Sequence, residues 1–517
     1  MTGKKSAERL TIRFRKNLKG IQAAFFGALI FGVTVHGMAL FNKFSWHDDI
    51  FSLFGTGATI TSGRWMLHVL AEAEILVFGD GHFSLPLMNG LFSILCIAAS
   101  AALTADLLEI RHRALCALLG CVMAAFPVVT ALFGFMFTVP YYMLALLSAT
   151  ASAYLICRGS RWRTRIPGIL LGGCSVGIYQ AFLPVLLTLI LLADISDLAD
   201  GGEPVRAVCG KILTQALCVA GAMAFYFAGS RFFLAKYRFE LDSYLGIDQV
   251  GSVPLAVYLD RAGRAYREFF LPVRNSVTDM FPQHLYHLSR LMLAADGILC
   301  VPLAVRTGRR EPGAAVLLVL LFLLFPLGCN FIFVMSEEVH SLMLYGQTAF
   351  FMLFVLLADR QGAGAFPVRR VAAAGAALMM GTACVMYARF DNQCYLKTAF
   401  QQQEAISYYT TLAARIKSVP GYRDELPVAW VNRDQLEDRS LYNIDELNPV
   451  QIVPYEKTIQ DYVNNWAWQK FMARWCGFAP DIADSAEAEN LPEVRTMPAY
   501  PEDGSIRIIN GIVVVKF

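Results

Sequence analysis

Apolar residues in this chain run in long uninterrupted segments, and the short alternations typical of soluble strands and amphipathic helices are rare. A helix needs about 20 apolar residues to cross a bilayer. The segments that approach or exceed this length are 21–41, 84–108, 114–133, 138–157, 211–235, 286–305, 313–334, 341–358 and 370–389. We therefore predict a polytopic membrane protein of mostly α-helical fold.

One further apolar region, 166–193, has 28 uncharged residues, and the charges around it bear on whether it crosses once or twice. Basic loops favour the cytoplasmic side, and the loops 158–165 and 306–310 are both rich in arginine. A return to the same side requires an even number of crossings between these loops. We therefore predict that 166–193 is a hairpin of two short helices, broken at its Gly and Pro residues. The total is then about 11 spans.

Composition supports this class and adds an orientation. The 517 residues are 56% hydrophobic and 16% charged, with a net charge of +3. Residues 390–517 hold 12 Lys/Arg and 18 Asp/Glu, a net of −6, so the rest of the chain carries +9. We predict a basic cytoplasmic N-terminus over 1–20, a transmembrane domain over 21–389 and an extracytoplasmic domain over 390–517. The last is expected to be a small α/β domain, because "LPVAWV" and "SIRIINGIVVVKF" indicate strands, the latter around an Asn-Gly turn.

The first outer loop, 42–83, carries the most distinctive side chains. His47, Asp48 and Asp49 are followed, after a Gly/Thr-rich spacer, by Arg64 and Trp65. A partly desolvated carboxylate at a membrane boundary has a raised pKa and can accept a proton. An arginine at headgroup depth suits a lipid phosphate. One aspartate is expected to be catalytic and the other structural; the simpler alternative is a helix cap followed by a polar stripe of an interfacial helix.

Further polar residues are predicted on the same face of the membrane. They are Tyr179 and Gln180 at the hairpin tip, Arg264 and Arg267 in an Arg/Tyr stripe of the loop 236–285, and Glu337 and Glu338 in the short turn 336–340. Such side chains suit contacts with sugars or phosphates. Interfacial anchoring and an ordinary polar turn are the alternative explanations.

Motifs for several other chemistries are missing from the sequence. It has no nucleotide-binding glycine motif, DxD triplet or Walker motif. It also has no CxxC spacing that would indicate a metal or redox site. We expect the lipid bilayer as the main partner and no nucleic acid.

An early outer loop with an acid, a horizontal helix after it, about 11 spans and an outer soluble domain together resemble the GT-C glycosyltransferases. More narrowly, the sequence resembles the bacterial glucosyltransferases of the type II O-antigen modifying family, the Gtr type. The resemblance spans roughly residues 20–517, and Ile50 stands where many relatives have an aromatic residue, which leaves the transferred sugar open. It rests on "HDDIFSLFGTGATITSGRW", "GIYQAF", "ELDSYLGI", "CYLKTAFQQQEAISYYTTLAARI" and "PEDGSIRIINGIVVVKF".

The resemblance implies an enzyme of the bacterial cytoplasmic membrane, with its N-terminus inside, that transfers a sugar on the extracytoplasmic face. The donor would be a polyprenyl-phosphate sugar, typically glucose on undecaprenyl phosphate, and the acceptor a surface polysaccharide. Asp48 or Asp49 would deprotonate the acceptor hydroxyl, and Arg64, with an arginine of the Arg/Tyr stripe, would hold the leaving phosphate. Tyr179 and Gln180 would line the sugar pocket.

The same resemblance implies two functional partners, a separate polyprenyl-phosphate glucosyl transferase and a flippase. GT-C enzymes occur with and without a divalent cation, so a cation requirement stays open. Three alternatives also stay open at this point. The first alternative is a flippase or transporter for lipid-linked sugars. The second is a related enzyme such as a polysaccharide polymerase or protein mannosyltransferase, and the third is a structural envelope protein.

Overall fold

The computed structural model divides the chain into two compact units. The helical unit comprises Met1–Asn42 and Phe54–Asn392, and the sheet unit comprises Lys43–Leu53 and Gln393–Phe517. The residues that the structure describes are 17–45, 48–57, 59–79, 81–159, 161–242, 253–270, 283–361, 366–433, 445–447, 450, 452 and 467–517.

Helices dominate the described chain. Four of them, α2 and α17 to α19, lie wholly in the sheet unit, and α16 begins in the helical unit and ends in the sheet unit. In chain order the helices are α1 (Leu18–Phe41), α2 (Asp48–Phe51), α3 (Trp65–Phe78), α4 (Pro86–Leu107), α5 (Arg113–Ala125), α6 (Pro127–Phe133), α7 (Val139–Arg158), α8 (Trp162–Ile178), α9 (Leu183–Asp200), α10 (Val205–Tyr237), α11 (Leu255–Phe270), α12 (Gln283–Arg310), α13 (Pro312–Cys329), α14 (Ile332–Met335), α15 (Ala349–Arg360), α16 (Phe366–Lys417), α17 (Trp468–Trp475), α18 (Ser485–Glu489) and α19 (Pro492–Arg495).

Nine helical segments of the described chain are long and apolar enough to cross a bilayer. This confirms the predicted polytopic, mostly α-helical class. In the apolar 18-residue stretches of Arg113–Phe133 and Gln180–Asp200, 83% of the residues are buried within the protein, whereas in that of Leu285–Arg310 only 17% are. The outward-facing residues of the less buried helices include Ile298 (72% exposed) and Leu378 (73% exposed). Lipid accommodates such an apolar surface and water does not.

The two remaining predicted crossings correspond to shorter helices. α8, the first half of the predicted hairpin, has 17 residues. α15 has only 12 residues, because the start of the predicted span 341–358 forms two 3-10 turns, Ser341–Met343 and Tyr345–Thr348. In contrast, α16 has 52 residues and continues far past position 389. The apolar run ends there, but residues with good helix propensity follow it.

The region 166–193 is a hairpin of two helices, as predicted. α8 ends at Ile178, the backbone of Tyr179 is extended, and α9 begins after one 3-10 turn. Both ends of the hairpin lie at the same end of the helical unit, because Asp197 near the end of α9 pairs with Arg158, which precedes α8, at 3.0 Å. Asp200 pairs with Arg111 at 3.0 Å and with Arg360 at 3.2 Å. Arg158, in a loop predicted to be cytoplasmic, therefore lies with Arg111 and Arg360 at one end of the helices.

The sheet unit contains a three-stranded sheet of order β1-β3-β2, formed by β1 (Val428–Val431), β2 (Ile506–Ile509) and β3 (Ile512–Lys516). β1 runs parallel to β3, and β2 pairs with β3 in an antiparallel hairpin. The turn of this hairpin is the predicted Asn-Gly pair, Asn510 and Gly511, both with positive φ. The hydrophobic core of the unit forms where Val431 and Val514 pack beside residues of α18 and α19.

Candidate functional site

The two adjacent aspartates of the first loop belong to the sheet unit, where they begin the short helix α2. Asp49 is fully buried. Its Oδ2 atom receives a hydrogen bond from Ser45 Oγ at 2.8 Å and lies 2.6 Å from Lys43 Nζ. Burial lowers the pKa of Lys43, and the charge of Asp49 opposes this effect. Asp49 is thus an internal ion-pair partner.

A glutamine from α16 holds the same segment through its backbone. Gln402 accepts a hydrogen bond from the Ser45 amide at 2.9 Å and donates one to the Lys43 carbonyl at 3.0 Å. At the other end of α2, Lys470 Nζ lies 4.5 Å from the centre of the Phe51 ring. These contacts define the backbone position of Asp48, which is half-buried. His47, the third predicted residue of this loop, lies outside the described residues.

The Gly-Arg-Trp sequence belongs to the helical unit, and its tryptophan is the anchor. Trp65 is 5% exposed, and its Nε1 donates to the Tyr226 carbonyl of α10 at 3.1 Å. Glycines from α8 and α10 make room for the indole: a Cβ atom at Gly177 would lie 2.8 Å from the ring, and one at Gly229 would lie 2.5 Å from it. The first turn of α3 is therefore held between these two helices.

Arg64 occupies the N-cap position of α3 and faces two aromatic rings. Its Nη1 donates to the Tyr142 hydroxyl at 3.1 Å, and its guanidinium carbon lies 5.0 Å from the centre of the Tyr179 ring. The two tyrosine rings are themselves stacked, with centroids 4.2 Å apart and planes 12° apart. A cation–π contact and a hydrogen bond thus orient the guanidinium group, and an oriented guanidinium is a suitable ligand for an anion.

Gln180 connects the hairpin tip to the residues before Arg64. Its Nε2 donates to the Ser62 carbonyl at 2.7 Å and to the Tyr226 hydroxyl at 3.1 Å. Gly63 lies against this pair with φ +75°, and a Cβ atom there would approach the Tyr226 hydroxyl to 2.6 Å. The structure therefore brings together four predicted residues, namely Arg64, Trp65, Tyr179 and Gln180. Gln180 and Tyr179 are buried and support their neighbours.

The residues predicted in the later loops form a second group. Arg264 of α11 donates from Nη1 to the Glu337 backbone carbonyl at 3.0 Å, and its guanidinium carbon lies 5.0 Å from the centre of the Phe333 ring. The side chains of Arg267, Glu337 and Glu338 are exposed. The Arg264 side chain thus contacts the backbone of the 336–340 turn.

Sequence reasoning missed several of the supporting residues. Tyr142 and Tyr226 lie in apolar segments, where a tyrosine is usually an interfacial anchor. Next to Tyr142, the Tyr141 hydroxyl donates to the carboxylate of Glu74, which also lies 2.9 Å from Nδ1 of the buried His82. The sequence feature that could have identified Tyr142 was the adjacent pair Tyr141-Tyr142 at the start of the predicted span 138–157. No group of three or more His, Cys, Asp or Glu residues with metal-binding geometry occurs in the described part of the chain.

Nine helical segments of the described chain that are long and apolar enough to cross a bilayer define a polytopic membrane protein, and Arg64, oriented by two aromatic rings, lies at its candidate site. The family model of the glucosyl transferase GtrII matches residues 37–356. The chain therefore belongs to this family and is a membrane glucosyltransferase. All the predicted site residues lie within the matched range. The chain matches no curated protein and no solved structure.

Proposed function

We propose that this glucosyltransferase uses a polyprenyl-phosphate sugar as donor and a cell-surface polysaccharide or lipid-linked glycan as acceptor. Such a donor carries its own leaving group, which agrees with the lack of nucleotide-binding motifs in the sequence. The observation that carries the proposal is the fixed orientation of the Arg64 guanidinium group. This guanidinium is oriented by Tyr142 and Tyr179 in a protein whose described helices include segments long and apolar enough to cross a bilayer. A fixed guanidinium is well suited to bind phosphate and to stabilise charge that develops on it.

We assign the base to Asp48. Asp49 has its carboxylate engaged by Lys43 and Ser45 and is fully buried, which suits a positioning residue. Asp48 is half-buried and its backbone is held in place by its neighbours. In the reaction, Asp48 takes the proton of the acceptor hydroxyl while the oxygen of that hydroxyl forms a bond to C1 of the donor sugar. The C1–O bond to phosphate breaks, and the polyprenyl phosphate leaves with the electron pair. Arg64 stabilises its charge, and the anomeric centre inverts.

The reaction is proposed to occur on the extracytoplasmic face of the bacterial cytoplasmic membrane. In the helical unit, Tyr142 lies in the first turn of α7, whereas Arg158 ends the same helix in the arginine-rich network. Arg64 therefore lies at the end of the unit opposite that network. If the basic end is cytoplasmic, the Arg64 end is outside. A flippase and a polyprenyl-phosphate glucosyl transferase would then supply the donor on that face.

The decisive experiment is sugar transfer by the purified full-length chain from a radiolabelled polyprenyl-phosphate glucose. Asp48→Asn is expected to lower the transfer rate by roughly 10²–10⁴-fold, the usual contribution of a general base, without a change in melting temperature. Asp49→Asn is expected to lower both the rate and the melting temperature, because it disrupts the ion pair between this buried carboxylate and Lys43. Asp481→Asn, an exposed aspartate of the same unit, is the matched control.

Two outcomes would contradict the proposal. Full transfer activity in Asp48→Asn would exclude this residue as the base. Movement of the labelled lipid across a vesicle membrane by the wild-type chain, without transfer to any acceptor glycan, would instead indicate a flippase.

A further inference from the structure

Helix α11 buries two charged residues on one face. Arg261, Ala265 and Glu268 are its buried residues, at spacings of four and three that place them in one row. This face packs against α13 and α14, since Asn330 Nδ2 donates to the Ala265 carbonyl at 3.0 Å. The Tyr266 hydroxyl adds a second connection, to the Leu323 carbonyl of α13, at 2.6 Å. α11 is therefore fixed against the helical unit with its charged row inward.

Arg261 shares this row with one acidic residue, Glu268, but forms no ion pair among the described residues. Its side chain belongs to a residue that is only 8% exposed, and its buried Nη1 atom has no hydrogen-bond partner among the described residues. Its first acidic neighbour along the row, Glu268, is two helical turns away, about 10 Å along the axis. Burial of a guanidinium without an anion is strongly unfavourable, because its hydration is lost without replacement. The site is therefore suited to an anionic ligand.

The other arginines of α11 differ from Arg261. Arg264 directs one N–H to the Glu337 carbonyl and its guanidinium plane toward Phe333, whereas Arg267 is exposed to the surroundings. Of the three, Arg261 is the one that is both buried and left with an unbonded N–H group. Both Arg264 and Arg267 were predicted from sequence as substrate-binding residues, and Arg261 was one of several residues in the same stripe.

The buried row of α11 also leads to an apolar cavity. Glu268 and Phe269 line a cavity of about 90 Å³ together with Phe350 and Phe351. Aromatic and aliphatic side chains make up most of its wall, and Arg290 is among its few charged groups. A cavity of this character, on the same helix as the buried Arg261, suits an apolar chain that ends in an anionic group.

We propose that Arg261 binds the phosphate group of a phosphate ester, and that a lipid-linked phosphate is its source. This proposal rests on the proposed function, since it concerns the lipid-linked substrates of the same enzyme. It assigns them a second phosphate contact, distinct from Arg64. A planar guanidinium offers paired N–H donors that match phosphate oxygens.

The test measures binding without transfer, so that it is independent of the base assignment. The melting temperature of the purified full-length chain is followed with a polyprenyl phosphate, with the matching neutral polyprenol and with inorganic phosphate. The wild-type chain should melt higher with the polyprenyl phosphate than with the polyprenol. Arg261→Met should weaken that binding by roughly 10- to 100-fold, the expected loss for a charge-assisted contact. It should also raise the melting temperature of the ligand-free chain, because it removes an unpaired buried charge.

Two further variants complete the design. Arg261→Lys keeps the charge but loses the paired donors, so it should retain the wild-type melting temperature and a weakened response to the phosphate lipid. Arg309→Gln, which removes an exposed arginine of the same unit, should leave both quantities unchanged.

The sign of the change in the ligand-free melting temperature caused by Arg261→Met distinguishes a binding role of Arg261 from a structural one. If Arg261→Met lowers the ligand-free melting temperature and keeps the full response to the phosphate lipid, Arg261 is structural and the proposal fails. An equal response to the neutral polyprenol also overturns it, because the apolar cavity alone would then explain binding. An equal response to inorganic phosphate supports the anion site and assigns it to free phosphate. Sugar transfer by wild type, measured separately, decides the proposed function in every case.

Discussion

Gly63 precedes the candidate phosphate-binding arginine, and its replacement by alanine tests whether that loop is as tightly packed as the structure indicates. Gly63 has φ +75°, in the left-handed region. An added Cβ would lie 2.6 Å from the Tyr226 hydroxyl and 3.0 Å from Gln180 Nε2. The variant therefore combines backbone strain with a steric conflict against two side chains that hold each other by a hydrogen bond.

Gly79, at the other end of α3, provides a matched control. Its φ of +78° is nearly the same, but a Cβ there would have no neighbour within 4 Å. Alanine in this backbone region costs about 1–2 kcal/mol, and the smaller entropy of the unfolded chain offsets about 0.4–1 kcal/mol of that. Gly79→Ala is therefore expected to lose about 1 kcal/mol of stability. Gly63→Ala adds a packing conflict of about 1–3 kcal/mol, which gives a total of about 2–4 kcal/mol.

Denaturation of the two purified full-length variants, compared with wild type, measures this difference. Sugar transfer is measured on the same samples at a temperature where both are folded. Gly79→Ala should transfer sugar at the wild-type rate. Gly63→Ala should be about 100-fold slower, since a displacement of about 1 Å of a group such as Arg64 costs that much. Equal stability losses in the two variants would refute the packing argument, and full activity of Gly63→Ala would refute the role given to the loop.

Two other predictions concern the ion pair and the orientation. Lys43→Met leaves the buried Asp49 without its cation and should cost about 3–5 kcal/mol in a denaturation experiment, whereas adding Asp49→Leu should recover most of the loss; no recovery would show that the pair is not the cause. For the orientation, cysteines are placed at Gly202 and at Glu240, on either side of α10, in a chain whose exposed Cys209 is replaced by serine. An impermeant thiol reagent added to right-side-out spheroplasts should label only position 240, and labelling of position 202 alone would reverse the proposed topology.

Much of the helical unit could be predicted from the sequence because bilayer crossing depends on local hydrophobicity. The break at Tyr179 could also be predicted, since the basic loops on either side of 166–193 required an even number of crossings. The length of α16, in contrast, could not be predicted from the sequence. Hydrophobicity indicates where a helix leaves the apolar region, and it does not indicate where the helix ends.

The supporting contacts of the candidate site were harder to predict because they join distant parts of the chain. Gln402 holds the backbone of Ser45 across 357 positions, and nothing in either local sequence indicates this contact. Tyr226 is similar: its segment is apolar, and its role depends on Trp65 and Gln180, which are more than 40 positions away. Such residues become visible only when the helices are placed side by side.

The Asp48-Asp49 pair shows why adjacency in the sequence cannot assign a base. Neighbouring residues on a helix point about 100° apart, so one side chain of an adjacent pair can face the interior while the other faces elsewhere. Here Asp49 is the buried member of the pair, and its carboxylate lies 2.6 Å from the half-buried Lys43, since a buried carboxylate requires a cation. A carboxylate that already pairs with this lysine and accepts a hydrogen bond from Ser45 is suited to a positioning role. The base assignment to Asp48 therefore follows from the partner of its neighbour, and the separate effects of Asp48→Asn and Asp49→Asn on rate and stability would show whether this inference holds.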